Sequence, residues 1–198
     1  MARGDRVIAG YRSYEKAQSV LPIGNPNLLP VLLDLTASAE TLLTAVQGAA
    51  NHVWPTVGSE SVGANATIAN GGTSTHTASE GYHGQPGGID VLVNNAGIGI
   101  PTMVEEGGSS VLRKQFQTNV FGFLDVMTAT LPFLRASLAQ GRPAALVTIG
   151  SRSVYKSELP GLAMYAASKA AARSMCPLHI PPLDVLLTSY IRQLLPKP

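Results

Sequence analysis

Tyr165-Ala166-Ala167-Ser168-Lys169 places a phenol and an amine four residues apart. On a helix that spacing makes the two side chains neighbours on one face. A phenol ordinarily loses its proton near pH ~10, and an adjacent ammonium favours the phenolate. Such a pair is suited to giving a proton to a carbonyl oxygen near neutral pH. The same spacing also occurs on helices where both residues are simply exposed, so its surroundings decide. Asn94-Asn95-Ala96-Gly97 directly follows the apolar run Ile89–Val93. The C-terminal end of a parallel strand is where open α/β sheets hold ligands, and small residues let backbone come close. Asn and Gly also favour a plain turn there. Ser151 follows the run Ala144–Ile149 and lies fourteen residues before Tyr165; its plain reading is a helix or loop cap. Asn119 interrupts an apolar helical stripe, where a polar side chain costs free energy unless it is hydrogen-bonded.

The elements that must position these residues are legible as alternating runs. Val7-Ile8-Ala9, Val31-Leu32-Leu33 (ending at Asp34), Ile89–Val93 and Ala144–Ile149 read as strands buried on both faces, as parallel strands are. Between the first two, Pro22, Gly24, Asn25, Pro26 and Pro30 allow only a short helix. Ser38 is placed to cap a helix to about Val53, with Leu42, Leu43 and Val46 on its stripe and Pro55 beyond its end. Ser109 or Ser110 begins the longest helical pattern, to about Ser137. Leu112, Phe116, Asn119, Phe123, Met127 and Leu134 form its stripe, and Pro132 should kink or tighten its last turn. Ala163–Met175 is a further helix, stopped at Pro177, and Leu183–Leu195 is a last amphipathic stretch. From about 55 to 88 Gly, Ser, Thr, Ala and Asn dominate, which predicts a flexible insertion. Strands alternating with helices over residues 1–198 predict a single α/β domain with a parallel sheet and a divergent tail at 177–198.

Bulk properties narrow the function. Of 198 residues 45% are hydrophobic and only 13% charged, which points to a well-buried sheet or an oligomer interface. A net charge of +2 with scattered Lys and Arg excludes a nucleic-acid surface. A lone Cys176 excludes an internal disulfide and a cysteine-cluster metal site. His52, His76, His83 and His179 show no ligand spacing, so no metal is expected. No signal-peptide-length apolar stretch opens the chain, and none reaches the ~20 residues that span a bilayer. A cytoplasmic protein without a membrane partner is the expectation. Gly87-Gly88 and Gly107-Gly108 lack the lysine and the strand–loop–helix setting of a phosphate-binding loop.

In this order and context, Asn94-Asn95-Ala96-Gly97, Asn119, Ser151 and the Tyr165/Lys169 pair resemble the short-chain dehydrogenase/reductase family over roughly residues 5 to 175, the insertion excepted. The resemblance implies a Rossmann-like parallel sheet with helices on both faces. It also implies an oxidoreductase that interconverts a small-molecule carbonyl and an alcohol by hydride transfer with a nicotinamide cofactor. By the same resemblance Tyr165 is the acid/base, and Lys169 lowers its pKa and binds the nicotinamide ribose. Ser151 holds the substrate oxygen, and Asn119 anchors a water that relays protons toward Lys169. The family spacing from serine to tyrosine is usually thirteen, which falls on Arg152 here. Ser151 is chosen by its strand-end position, with Ser153 the alternative. Cofactor contacts are expected from Arg12, Asp34, Asn94, Ala96, Gly97, Tyr165 and Lys169. NAD-binding relatives usually carry an acidic residue after the second strand. This chain has Gly10-Tyr11-Arg12-Ser13 instead, so NADP (NADPH) is expected rather than NAD, with Arg12 on the 2′-phosphate; a surface arginine is the plain alternative. Asp34-Leu35-Thr36 resembles the D-x-T motif that contacts adenine, or is a strand-end cap.

Two departures qualify the resemblance. Relatives open with a strand and T-G-x-x-x-G-x-G, whose amides cradle the pyrophosphate. This sequence contains no such motif, and Ala2–Val7 reads like the end of a first helix entering the second strand. In the family order 3-2-1-4-5-6-7 the first strand lies between the second and fourth. Without it those two must pair directly or the sheet must split. Pro177, Pro181 and Pro182 also cut short the tyrosine helix. NADPH binding by this chain is therefore expected to be weak or absent. The alternative reading is a catalytically inactive truncated member that acts as a dimerisation or binding fragment, with the 110–137 and 163–175 helices as the faces for a homo-oligomer.

Overall fold

The computed structural model describes residues 5–52, 88–155 and 160–175. Four strands appear among them: β1 (Val7–Tyr11), β2 (Leu28–Leu32), β3 (Val91–Asn94) and β4 (Ala145–Thr148). They form two separate parallel pairs, β1 with β2 and β3 with β4. Each pair is joined through a helical crossover, as parallel strands require. The strand Val31–Leu33 read from the sequence begins earlier, at Leu28, and runs through Pro30. Proline fits because β2 has only β1 as a neighbour among the described residues, and alternate amides of a strand point to opposite sides.

The ladders also show what the split leaves open. Val7 N–H donates to Asn27 O and Leu33 N–H to Tyr11 O, both at 2.8 Å. The alternation of a parallel ladder then turns Val7, Ala9 and Tyr11 toward β2, and Ile8 and Gly10 away from it. Ala145 N–H donates to Asp90 O at 2.8 Å and Ile149 N–H to Asn94 O at 3.0 Å. Leu92 and Asn94 therefore face β4, whereas the backbone of Val91 and Val93 points away. Val91 and Val93 are also 52% and 54% exposed. No direct pairing of β1 with β3 replaces the family's intervening strand. The sheet splits.

Five helices are described: α1 (Tyr14–Val20), α2 (Ala39–Ala50), α3 (Val104–Phe116), α4 (Phe123–Ala139) and α5 (Ala163–Met175). Ser38 caps α2 as its residue type predicts, its Oγ accepting from Thr41 N–H at 3.2 Å. Leu42 and Val46 are buried, but Leu43 is exposed and off the stripe. The long helix begins one turn earlier than Ser109. Val104–Gly107 form an extra turn, and Gly108, at φ 53°, breaks the helix before the regular part starts at Ser109. Pro132 lies inside α4 without ending it. Between α3 and α4, Gln117–Gly122 form a π-helical stretch that carries Asn119. Such wide turns re-aim side chains at functional sites.

Among the described residues no strand joins the half-sheets, and packing holds them together. Leu35, Leu42 and Val46 pack with Val126 and Ala129 of α4, and Leu92 of β3 touches the same cluster. A second cluster, Phe123, Met127 and Leu146, fixes α4 onto β3 and β4, with Leu92 and Met175 against it. The seam is tight: a methyl group at Gly122 would overlap the carbonyl oxygen of Leu35. At the other end of α4, Ser137 Oγ donates to Ile89 O at 2.9 Å and accepts from Arg142 at 3.1 Å, which fixes the entry to β3. The inserted stretch before Gly88 and the tail beyond Met175 lie outside the described residues.

Leu42, 1% exposed, stands at the seam. Leu42→Ala should cost about 2–5 kcal/mol in chemical denaturation, the range for a large-to-small core change. Hydrogen exchange should show the Ile8, Gly10, Val91 and Val93 amides unprotected beside protected Ala9 and Leu92.

Candidate active site

The site forms where β3 ends. Asn119 is 2% exposed, and its amide is fully used. Oδ1 accepts from Ile98 N–H at 2.8 Å, and Nδ2 donates to Ile98 O at 2.8 Å and to Ser168 Oγ at 2.9 Å. Ser168, itself buried, donates to Tyr165 O at 2.7 Å. One side chain thus ties the segment after β3 to the π-helical stretch and to α5. This satisfies the polar group that looked anomalous within the apolar stripe.

Lys169 is 7% exposed, and its Nζ donates to Ile149 O, one residue past β4, at 3.1 Å. A methyl group at Gly97 would lie 3.2 Å from both Asn119 Oδ1 and Lys169 Nζ. One at Gly99 would lie 3.4 Å from Cδ2 of the Tyr165 ring. The turn after β3 therefore comes against Asn119, Lys169 and Tyr165, most closely at Gly97. Asn95, Ala96 and Gly97 keep their other side open to solvent.

Ser151 precedes a 3-10 turn at Arg152–Val154. Its Oγ accepts from Ser153 N–H at 3.2 Å and shares a hydrogen bond with Ser153 Oγ at 2.8 Å. The two serines that the sequence offered as alternatives form one hydroxyl pair, Ser151 half-buried and Ser153 buried. Arg173 of α5 stacks its guanidinium 4.5 Å from the centre of the Tyr155 ring, holding this turn to the helix that carries Tyr165. Nearby, Asn94 and its register partner Thr148 each keep a buried polar atom, Nδ2 and Oγ1, without a hydrogen-bond partner among the described residues. Unpartnered polar atoms at strand ends suit a ligand-binding edge.

The proposed cofactor residues at the other half-sheet separate into two groups. Arg12 follows β1 and lines a cleft of about 280 Å³ with Gly10, Ser13 and Lys16. Lys16, in the first turn of α1, was not singled out from the sequence. Asp34, after β2, accepts through Oδ1 from Thr36 N–H at 2.9 Å and Thr36 Oγ1 at 2.8 Å, which fixes the turn there. Gln115, also missed, is fully buried and accepts from Ile100 N–H at 3.1 Å. Among the described residues no cluster of metal-ligating side chains occurs, and no helix is long and apolar enough to cross a membrane.

The chain is similar to known proteins. The sequence profile of the short chain dehydrogenase family matches residues 46–178. An uncharacterized oxidoreductase of Bacillus subtilis, YusZ, is 36% identical over 83 residues, 42% of this chain and 28% of the relative. A 3-ketodihydrosphingosine reductase of Bacteroides thetaiotaomicron is 31% identical over 115 residues, 54% of this chain and 41% of the relative. The chain spans less than half the length of these curated relatives. A 3-ketoacyl-(acyl-carrier-protein) reductase from Brucella melitensis, solved with NADH, superposes with a TM-score of 0.64 at 21% identity. That match covers 88% of this chain and 58% of the solved one. A short-chain dehydrogenase from Streptomyces avermitilis gives 0.62 at 24% identity, covering 88% and 50%. The profile begins inside α2, so the likeness of β1, α1 and β2 rests on the superposition, and the fold is an incomplete Rossmann-like one. With the family profile spanning most of the chain and the turn, Asn119, Tyr165 and Lys169 gathered in one place, this protein belongs to the short-chain dehydrogenase family of oxidoreductases.

Proposed function

We propose that the chain carries the reaction centre of an NADP(H)-dependent oxidoreductase that interconverts a small-molecule carbonyl and its alcohol. The observation that carries this reading is the contact of Gly97 and Gly99 with Lys169 and Tyr165. A turn kept open to solvent on one side faces a phenol and an ammonium on the other.

The residues present fit the two ends of a dinucleotide. At one end a methyl at Gly97 would crowd Lys169 Nζ, so glycine there lets the turn's backbone lie against the ammonium that would meet a ribose hydroxyl. At the other, Arg12 and Lys16 share a cleft and would hold a 2′-phosphate. The bound cofactor would supply the hydride for reduction, or take it up in the reverse direction. Tyr165 gives its phenolic proton to the substrate oxygen during reduction and recovers it during oxidation. The Ser151 hydroxyl, supported by Ser153, donates a hydrogen bond to the same oxygen and orients it. Lys169 provides the positive charge on the face of α5 that bears the phenol. Asn94, Ala96 and Gly97 form the backbone floor. The exposed helical faces of 110–137 and 163–175, where Phe121 is 52% exposed, are the surfaces proposed for self-association.

The split between β1 and β3 favours a second reading. With no strand between them among the described residues, the chain would on this reading be a non-catalytic binding member of the family. That reading predicts no turnover at any cofactor concentration.

Tyr165→Phe should lower NADPH-dependent reduction of a ketone and aldehyde panel by about 10²–10⁴-fold, the usual contribution of a general acid, with unchanged thermal unfolding. Turnover by the wild type at none of the cofactor levels would favour the non-catalytic reading. In a fluorescence titration NADPH should bind with a Kd well above ~1 μM, and Arg12→Ala should cut the preference for NADPH over NADH by about tenfold, as expected for one charge-assisted contact.

A further inference from the structure

We propose that Gln115 is a positioning residue that sets Gly99 against the ring of Tyr165. The inference rests on the reading of Tyr165 as the acid/base and adds a residue to its support. Gln115 and Asn119 are four apart, where helical residues share a face, and both reach the segment after β3. Asn119 takes both backbone groups of Ile98, and Gln115 Oε1 takes the N–H of Ile100. Gly99, between these two anchors, is the residue that meets the Tyr165 ring. Beyond it Pro101 has no N–H to satisfy, and Thr102 N–H donates to Gly161 O at 3.0 Å, two residues before α5 begins. The segment 98–102 is thus held at Ile98, at Ile100 and at Thr102, and Gln115 supplies the middle hold.

Gln115 is a poor residue for packing alone. It is 0% exposed, and its Nε2 meets no acceptor among the described residues. Burying an unpartnered amide donor is unfavourable, and an apolar side chain of similar size would avoid that penalty. Among the described residues the one hydrogen bond its side-chain amide makes is to Ile100. Losing it should therefore move Gly99 relative to the tyrosine while leaving the core intact.

Amide exchange and tyrosine-ring resonances, measured by NMR on the full chain, test this without turnover, so failure of the oxidoreductase reading leaves the test standing. In the wild type the Ile100 amide should be protected. Gln115→Met should raise its exchange about tenfold, the loss of one hydrogen bond, and shift the Gly99 and Tyr165 ring signals. Ile98 and the thermal midpoint should stay in place. Gln115→Glu retains an acceptor oxygen and should restore both signals toward wild type. An unprotected wild-type Ile100 overturns the proposal, as do unmoved Gly99 and Tyr165 signals in Gln115→Met, or a Gln115→Glu variant that behaves like Gln115→Met. If Gln115→Met does not fold, wild-type protection and the Glu variant decide.

Discussion

A single buried carboxamide, the side chain of Asn119, holds the site together. Its oxygen and nitrogen span the two backbone groups of Ile98, and the nitrogen reaches Ser168 on α5. Each of these bonds is made in an interior where an unmade partner is expensive, so the three elements cannot drift apart singly. The π-helical stretch is the backbone solution to this demand. A regular helix from α3 into α4 would not widen at Gln117–Gly122, where Asn119 reaches the turn and Gly122 lets the helix sit against Leu35. The same few residues therefore serve the site and the seam of the fold.

The seam explains how a divided sheet keeps its halves in place. Hydrogen bonding across the middle of the sheet is replaced by apolar packing between α2 and α4, with Leu92 shared by both core clusters. Packing of this kind is non-directional, so it holds position less strictly than a ladder would. The consequence for function is unequal. Tyr165, Lys169, Asn119 and Ser151 all stand on or beside the β3–β4 half and its helices, whereas Arg12 and Lys16 stand on the other. Under the proposed function, chemistry at the carbonyl would be built from one half, and recognition of the far end of the cofactor would depend on the seam.

Much of this was legible in the residues. The α5 helix begins at Ala163 as its pattern indicates, and Asn119, odd as a core residue, is explained by a full set of hydrogen bonds. What escaped reading did so for physical reasons. The second strand begins before Val31 because Pro30 turns its missing N–H away from β1, its one neighbour among the described residues. Leu43 shares a helix with Leu42 and Val46, yet the partner helix α4 covers only part of the stripe. Gly108 resembled a loop, because a positive φ inside a helix leaves no periodic trace. Ser151 and Ser153 could not be separated by spacing, since their mutual hydrogen bond depends on a 3-10 turn that two serines do not announce. Gln115 gave no signal because its role lies in bonding backbone rather than in any motif.

The account stands on the placement of one face of α5 against the turn after β3. Nuclear Overhauser contacts in the isotopically labelled protein measure that placement directly. Cross-peaks between the Gly99 α-protons and the Tyr165 ring, and between the Gly97 α-protons and the Lys169 ε-protons, are the predicted result. Their absence in a folded chain that still shows contacts between Leu42 and Val126 would contradict it.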